Sequence, residues 1–180
     1  MGRGALTTEA REHILTARMN SRELIESAFA PVGYPGDKNL VKCSCTVCRH
    51  VFDHFKSTTW RDHTLEQLQQ HQLALCQFTP EAFQYFLPAF LLRSQGAWLD
   101  TCLIPFFITK QILPPQPDDT VHKKKFRAEL MELLTISQKQ ALIAYLNEYA
   151  MSGTALIRED VTMAVAHLEE QLRSSGLGRR

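Results

Sequence analysis

The segment C-S-C-T-V-C-R-H-V-F-D-H, Cys43 to His54, carries the densest chemistry in the chain. Thiolates and imidazoles are the usual ligands of structural zinc, and Cys43, Cys45, Cys48 and His50 would make a four-ligand set. The spacing is too tight for a simple finger, which needs a longer loop between its ligand pairs. A helix running from Thr46 turns about 100° per residue, so Cys48 joins Phe52 and Phe55 while His50 points to nearly the opposite side. Closing a zinc shell then needs His63, His71 or Cys76 from elsewhere, or a helix that starts later. Cys45 and Cys48 also form a C-x-x-C pair at a helix start, where one thiol can be acidified for redox work. The βαβ context of a thioredoxin-like motif is not legible. The third reading is buried, unligated thiols, since cysteine is among the most buried residue types. The helix-face argument favours this third reading, with no metal or cofactor. Zinc and redox remain the alternatives.

Other constellations are weaker. G-Y-P-G-D-K at Gly33 shares glycine and lysine with a phosphate loop but lacks the G-K-[ST] ending and a preceding strand. Its expected role is a fixed turn, with Pro35 presetting φ and Gly36 free to take positive φ. The H-K-K-K-F-R run at His122 reads as a solvated face beside the acidic pair Asp118 and Asp119. Asp53 with His54 and Asp62 with His63 are neighbours in sequence, which does not make a dyad; both pairs read as surface residues. The G-x-S-x-G and H-E-x-x-H motifs are absent. Catalytic residues are therefore unknown.

The elements that would position these residues are mostly helical. F-T-P-E-A-F-Q-Y-F-L-P-A-F-L-L, Phe78 to Leu92, opens with Thr79 as cap, Pro80 at the first helical position and Glu81 near the positive helix end. Phe78 and Phe83 occupy the two positions of a hydrophobic staple. The rest is apolar nearly all round, which predicts a central, buried helix, kinked at Pro88. Thr135 with Gln138 matches a capping box, followed by Ala141, Leu142, Tyr145, Leu146 and Tyr149 on one face.

Further helices are expected at Thr8 to Met19, after Asn20 or Ser21 with Leu24, Ile25 and Phe29, from Thr46, after Thr64, across Ala97 to Leu113 with an interruption at Pro105, and over Asp160 to Leu172. Pro31 to Leu40 and Pro114 to Thr120 read as loops. Asn39 to Lys42 and Thr154 to Ile157 are the only candidate strands.

The fold expected is mostly α: a compact single-domain helical bundle with long loops and at most minor β. A partly helical N-terminal extension (1–20) would precede the helical domain (21–173) and a flexible tail (174–180).

Composition bounds the function. The 180 residues suit one domain. A formal net charge of +1 gives no field that would favour nucleic acid or a membrane surface. Apolar runs such as L-I-P-F-F-I are too short to span a bilayer. The N-terminus lacks the apolar core of a signal peptide, and five cysteines, an odd number, fit reduced thiols. The expected location is the cytoplasm.

Several motifs recur together here: A-F-A-P-V-G-Y-P-G-D-K-N-L from Ala28, Cys45 with Cys48, Trp60, F-T-P-E-A-F-Q-Y-F-L-P-A-F-L from Phe78, and L-T-I-S-Q from Leu134. In this order and spacing the chain resembles a bacterial family of small proteins classed only as a domain of unknown function. The resemblance spans Ala28 to Leu146 and implies a shared, mostly helical fold. It implies no activity, cofactor or catalytic residue. The function expected is a non-enzymatic binding or regulatory module with an unknown protein partner. The alternative is a zinc-binding or thiol-redox protein using Cys43, Cys45 and Cys48.

Overall fold

A computed structural model of the chain describes residues 20–101, 103–153 and 157–177. Among these residues there are nine α-helices, one 3₁₀ turn and no strand. The helices are α1 (Ser21–Phe29), α2 (Thr46–Phe55), α3 (Leu65–Gln70), α4 (Ala74–Gln77), α5 (Pro80–Ser94), α6 (Leu103–Ile112), α7 (Val121–Leu133), α8 (Ile136–Met151) and α9 (Arg158–Leu177). The expected Thr8 to Met19 helix lies outside the described residues, as does all of Thr154 to Ile157 but its last residue.

Helix α5 is the centre. Thr79 Oγ1 accepts the Ala82 N–H at 3.2 Å, and Pro80 sits at the first helical position. Phe78 and Phe83 of the staple are both fully buried, and every residue from Ala82 to Leu92 is buried. Four helices, α1, α3, α6 and α7, pack around α5. Phe86 stacks on Phe78 at 5.3 Å and meets Phe55 of α2 edge-on at 4.9 Å.

Helix α8 forms the second layer, against α1 and α9. Its capping box is complete, and Ala141, Leu142, Tyr145, Leu146 and Tyr149 are fully buried. Buried polar atoms here are paired, as a dry core requires. Tyr145 Oη lies 2.6 Å from Ser94 Oγ. Gln138 Oε1 accepts from Gln84 Nε2 at 2.8 Å, and Gln138 Nε2 donates to the Ala28 carbonyl at 3.2 Å. The capping residue of α8 thus also ties α5 and α1 together.

The Y-P-G-D loop does more than turn. Gly36 takes φ +82°, as its position predicted. Tyr34 Oη donates to Asp37 Oδ1 at 2.5 Å, and the Ser57 N–H donates to Tyr34 Oη at 2.9 Å. Ser57, just beyond α2, has φ +55°, a region that L residues with side chains avoid. The loop therefore holds the end of α2 in a strained turn. Burial, with the hydrogen bond to Asp37, pushes the Tyr34 phenol up to about 12.

Several expectations are corrected. The Ala97 to Leu113 stretch is α-helical only from Leu103. Pro105 falls in the first turn of α6, where a missing N–H costs nothing, and does not interrupt it. Asn39 to Lys42 makes a single antiparallel bridge, Val41 with Phe78. Helix α9 runs on to Leu177, with Ser174 and Ser175 hydroxyls donating to carbonyls one turn back. The basic run at His122 belongs to α7, capped by Thr120, and is not wholly solvated. Arg127, which ends the run, is 1% exposed. It pairs with the buried Asp119 and donates to the Pro114 and Lys110 carbonyls at 3.0 and 2.6 Å. The apolar faces of α6 and α7 draw the run inward, so its last cation needs a buried anion.

Candidate functional site

The thiol cluster is hung from the start of α5. Lys42 N–H donates to the Gln77 carbonyl at 3.0 Å, and Thr79 N–H donates to the Leu40 carbonyl at 3.1 Å. This pinning fixes where the chain leaves Val41 and brings Cys43 back over the first turn of α2. Cys45 is the N-cap of α2 and Cys48 lies in that first turn.

The Sγ atoms of Cys43, Cys45 and Cys48 all lie within 4.8 Å of one another. Cys43 Sγ is 3.1 Å from each of the other two. Cys48 Sγ donates to Gln77 Oε1 at 3.1 Å. Cys43 and Cys45 are exposed and Cys48 is buried. The expectation of three packing thiols therefore fails for Cys43 and Cys45. They precede the helix, so the helix-face argument never applied to them.

The electrostatics of the pair are asymmetric. The Cys45 thiol is pulled down to about 7, chiefly by the Cys48 backbone N–H and then by the Cys43 and Cys48 thiols. Its sulfur makes no cap hydrogen bond of ordinary geometry, so the effect is that of nearby donors at a helix start. Burial, with the neighbouring thiols, pushes the Cys48 thiol up to about 12. A cavity of about 270 Å³ opens beside Cys43, lined also by Lys38, Arg49, Asp37 and Phe52.

Sulfur atoms bound to one zinc at about 2.3 Å in tetrahedral geometry sit roughly 3.8 Å apart. The separations here, from 3.1 Å to within 4.8 Å, bracket that value. Three protein ligands with the fourth position left to water or another donor is a known zinc arrangement. The donor set fits a soft divalent cation.

The other proposed ligands are placed elsewhere. His50 is exposed on α2 and does not join the three thiols. Cys76 accepts from Gln111 Nε2 at 3.3 Å, toward α6. His63 and His71 gather at the far end of α2 around His54. The His54 and His71 rings stack at 3.9 Å, and His63 lies 5.2 Å from His54. His63 is 3% exposed, which corrects its reading as a surface residue. Its Nε2 meets Thr58 Oγ1 at 3.1 Å, while His54 Nε2 is buried without a hydrogen-bond partner. Burial first, then His54, pulls the His63 imidazole down to about 4. Asp53 and Asp62 do not touch these rings as dyads; they bind Lys56 and the Thr59 N–H instead. Sequence reasoning missed the histidine cluster because its members come from α2, a loop and the end of α3.

Fold and site together define an all-helical protein with a three-thiol cluster at its surface. A model described as "Family of unknown function (DUF6714)" matches residues 48–171, and the chain belongs to that family. The match starts at Cys48, so the Y-P-G-D loop, Cys43 and Cys45 precede it. No curated protein and no solved structure matches the chain. No helix is long and apolar enough to cross a membrane among the described residues.

Proposed function

We propose that the chain is a non-enzymatic binding module in which Cys43, Cys45 and Cys48 hold a zinc ion. The convergence of three Sγ atoms within 4.8 Å carries the reading. Two of these thiols gain nothing from burial, so packing does not account for their convergence. The ion would tie the loop after Val41 to the first turn of α2 and keep its fourth position toward solvent. Water or a donor atom from a partner protein would complete the shell. The test is elemental analysis of protein purified without a metal-binding tag. One zinc per chain, lost in Cys48→Ser, is expected; metal-free protein that takes up no added zinc overturns the reading.

A second reading rests on a separate observation, the exposed Cys45 at a helix N-cap with the buried Cys48 one turn on. In thiol–disulfide exchange, Cys45 thiolate would attack a substrate disulfide and release one thiol. Cys48 would then displace the second, leaving a Cys45–Cys48 disulfide and a substrate reduced to two thiols. Fast alkylation of Cys45 in metal-free protein near neutral pH would favour this reading over zinc.

A further inference from the structure

On the side of α5 reached by the start of α1, three arginines from three different elements line one cavity with a tryptophan. Arg22 comes from the first turn of α1, Arg93 from the last turn of α5, and Arg61 from the loop before α3. Together with Glu26, Trp60 and Leu92 they line a cavity of about 310 Å³. That volume suits a small metabolite. None of the thiol-cluster residues lines it, so the cavity is independent of the zinc reading.

The charge there is unbalanced. Glu26 is the one carboxylate among the described lining residues, and it sits 3.6 Å from Arg22 with both side chains half exposed. Such a pair is weak, and among the described residues the other two guanidiniums have no ion-pair partner. Asp62, next to Arg61 in sequence, turns away to accept the Thr59 N–H at 2.7 Å and does not line the cavity.

The arginines are held in place by groups that leave donors over. Arg22 Nη2 donates to the Leu92 carbonyl at 3.2 Å, and Arg93 Nε donates to the His63 carbonyl at 3.2 Å. With Nε engaged, the two terminal nitrogens of Arg93 make no hydrogen bond among the described residues. Arg61 sits over Trp60, its guanidinium carbon 3.9 Å from the ring centroid. This cation–π contact holds the guanidinium over the ring without using its N–H donors. Trp60 is 6% exposed and serves as a rigid floor. Gathering three cations costs repulsion that an anion would remove, and planar forks match the oxygens of phosphate and carboxylate.

A second cavity shows the contrast. Between the Pro31 to Pro35 turn and the start of α8, the lining includes Glu81, Thr135 and the mutually bonded Gln84 and Gln138, with no cation among the described lining residues. The arginine cavity combines volume, fixed donors and excess positive charge.

The geometry points to a binding site for a small oxyanion, a phosphate monoester or a dicarboxylate, gripped by Arg22, Arg61 and Arg93. The test titrates the full, tag-free chain with inorganic phosphate and, separately, with succinate at low ionic strength, reading the Trp60 indole N–H by NMR against Trp98. A saturable shift of Trp60 is expected. Arg61→Gln should weaken it about tenfold or more, the loss of charge-assisted hydrogen bonds, and Arg61→Lys should recover part of the affinity. Arg61 makes no hydrogen bond among the described residues, so these variants keep the fold, which an unchanged melting temperature verifies. Lys38→Gln, which lines the other cationic cavity, should leave the titration unchanged. Tighter binding of phosphate assigns the phosphate class and tighter binding of succinate the carboxylate class. Non-saturable shifts, equal binding by Arg61→Gln, or equal weakening by Lys38→Gln would overturn the site.

Discussion

From Ala82 to Leu92 every residue of α5 is buried, whereas from Lys42 to Val47 every residue is exposed. The two segments are joined by the Val41–Phe78 bridge, yet they are held by different forces. Helix α5 is apolar on all sides and is fixed by packing, which is non-directional and tolerates little loss of volume. The cysteine loop buries almost nothing, so directional bonds must fix it. The contrast teaches where chemistry can sit in this fold: at the edge of the core, on a segment anchored to the core by backbone bonds.

The largest effect should come from the loop. If zinc holds it, metal binding supplies folding free energy on the order of 10 kcal/mol in small zinc modules. Chelation should then release hydrogen-exchange protection across α2 while amides of α5 stay protected. Uniform loss of protection in both segments, or no change in either, would erase the distinction between them.

Next comes the packed segment. Phe86 is fully buried between Phe78 and Phe55, and Phe86→Ala should cost about 3–5 kcal/mol in denaturant titration. The thiols should keep their alkylation rates in that variant below its unfolding midpoint. A parent-like stability would show that α5 is not the structural centre.

The histidine cluster bridges the two regimes and should make stability depend on pH. The His63 imidazole titrates near 6.5 when unfolded and at about 4 when folded, so the unfolded chain binds the proton more readily. Its contribution is fully present above pH 6.5 and is lost as pH falls from 6.5 through 4. His54 and His71 are lowered by burial too and act in the same direction. Allowing for partial solvent screening, the drop should be about 2 kcal/mol, read as a falling melting temperature. His63→Gln should flatten the curve; an unchanged slope would place the titration elsewhere.

The smallest effect tests the hinge between the segments. Thr79→Ala removes the cap of α5 and should cost about 1 kcal/mol. Thr79 bonds the loop twice, its Oγ1 donating to the Asn39 carbonyl and its N–H to the Leu40 carbonyl. The substitution removes the first and keeps the second, which with the Lys42 N–H bond to the Gln77 carbonyl should hold the cysteine loop in place. Altered thiol reactivity in Thr79→Ala would mean that the side chain, and not the backbone, anchors the loop.

Legibility in the sequence divides along the same line. Helix α5 is legible because its cap, its proline and its apolar stripe lie within a few residues of one another. The capping box of α8 is legible for the same reason. Helix α7 is not, because its buried apolar residues, Phe126, Leu130 and Met131, are embedded in lysines and glutamates, and Thr120 has no matching Gln or Glu in the first turn. Arg127 reads as solvated since its partner Asp119 and its carbonyl partner on α6 become neighbours only when α6 and α7 pack.

The thiol cluster shows the limit most clearly. Sequence alone determined that Cys48 faces inward and His50 outward, because a helix fixes those directions at about 100° per residue. It could not determine the path of Cys43 and Cys45, which lie before the helix and have no periodicity. That path depends on backbone hydrogen bonds between residues 40–42 and 77–79, segments far apart in the chain. The three histidines and the three arginines are likewise each drawn from separate elements. Local sequence settled which residues turn toward the core, through short-range sterics and burial. The tertiary contacts decided which polar residues meet, since only the packed helices bring distant parts of the chain within bonding distance.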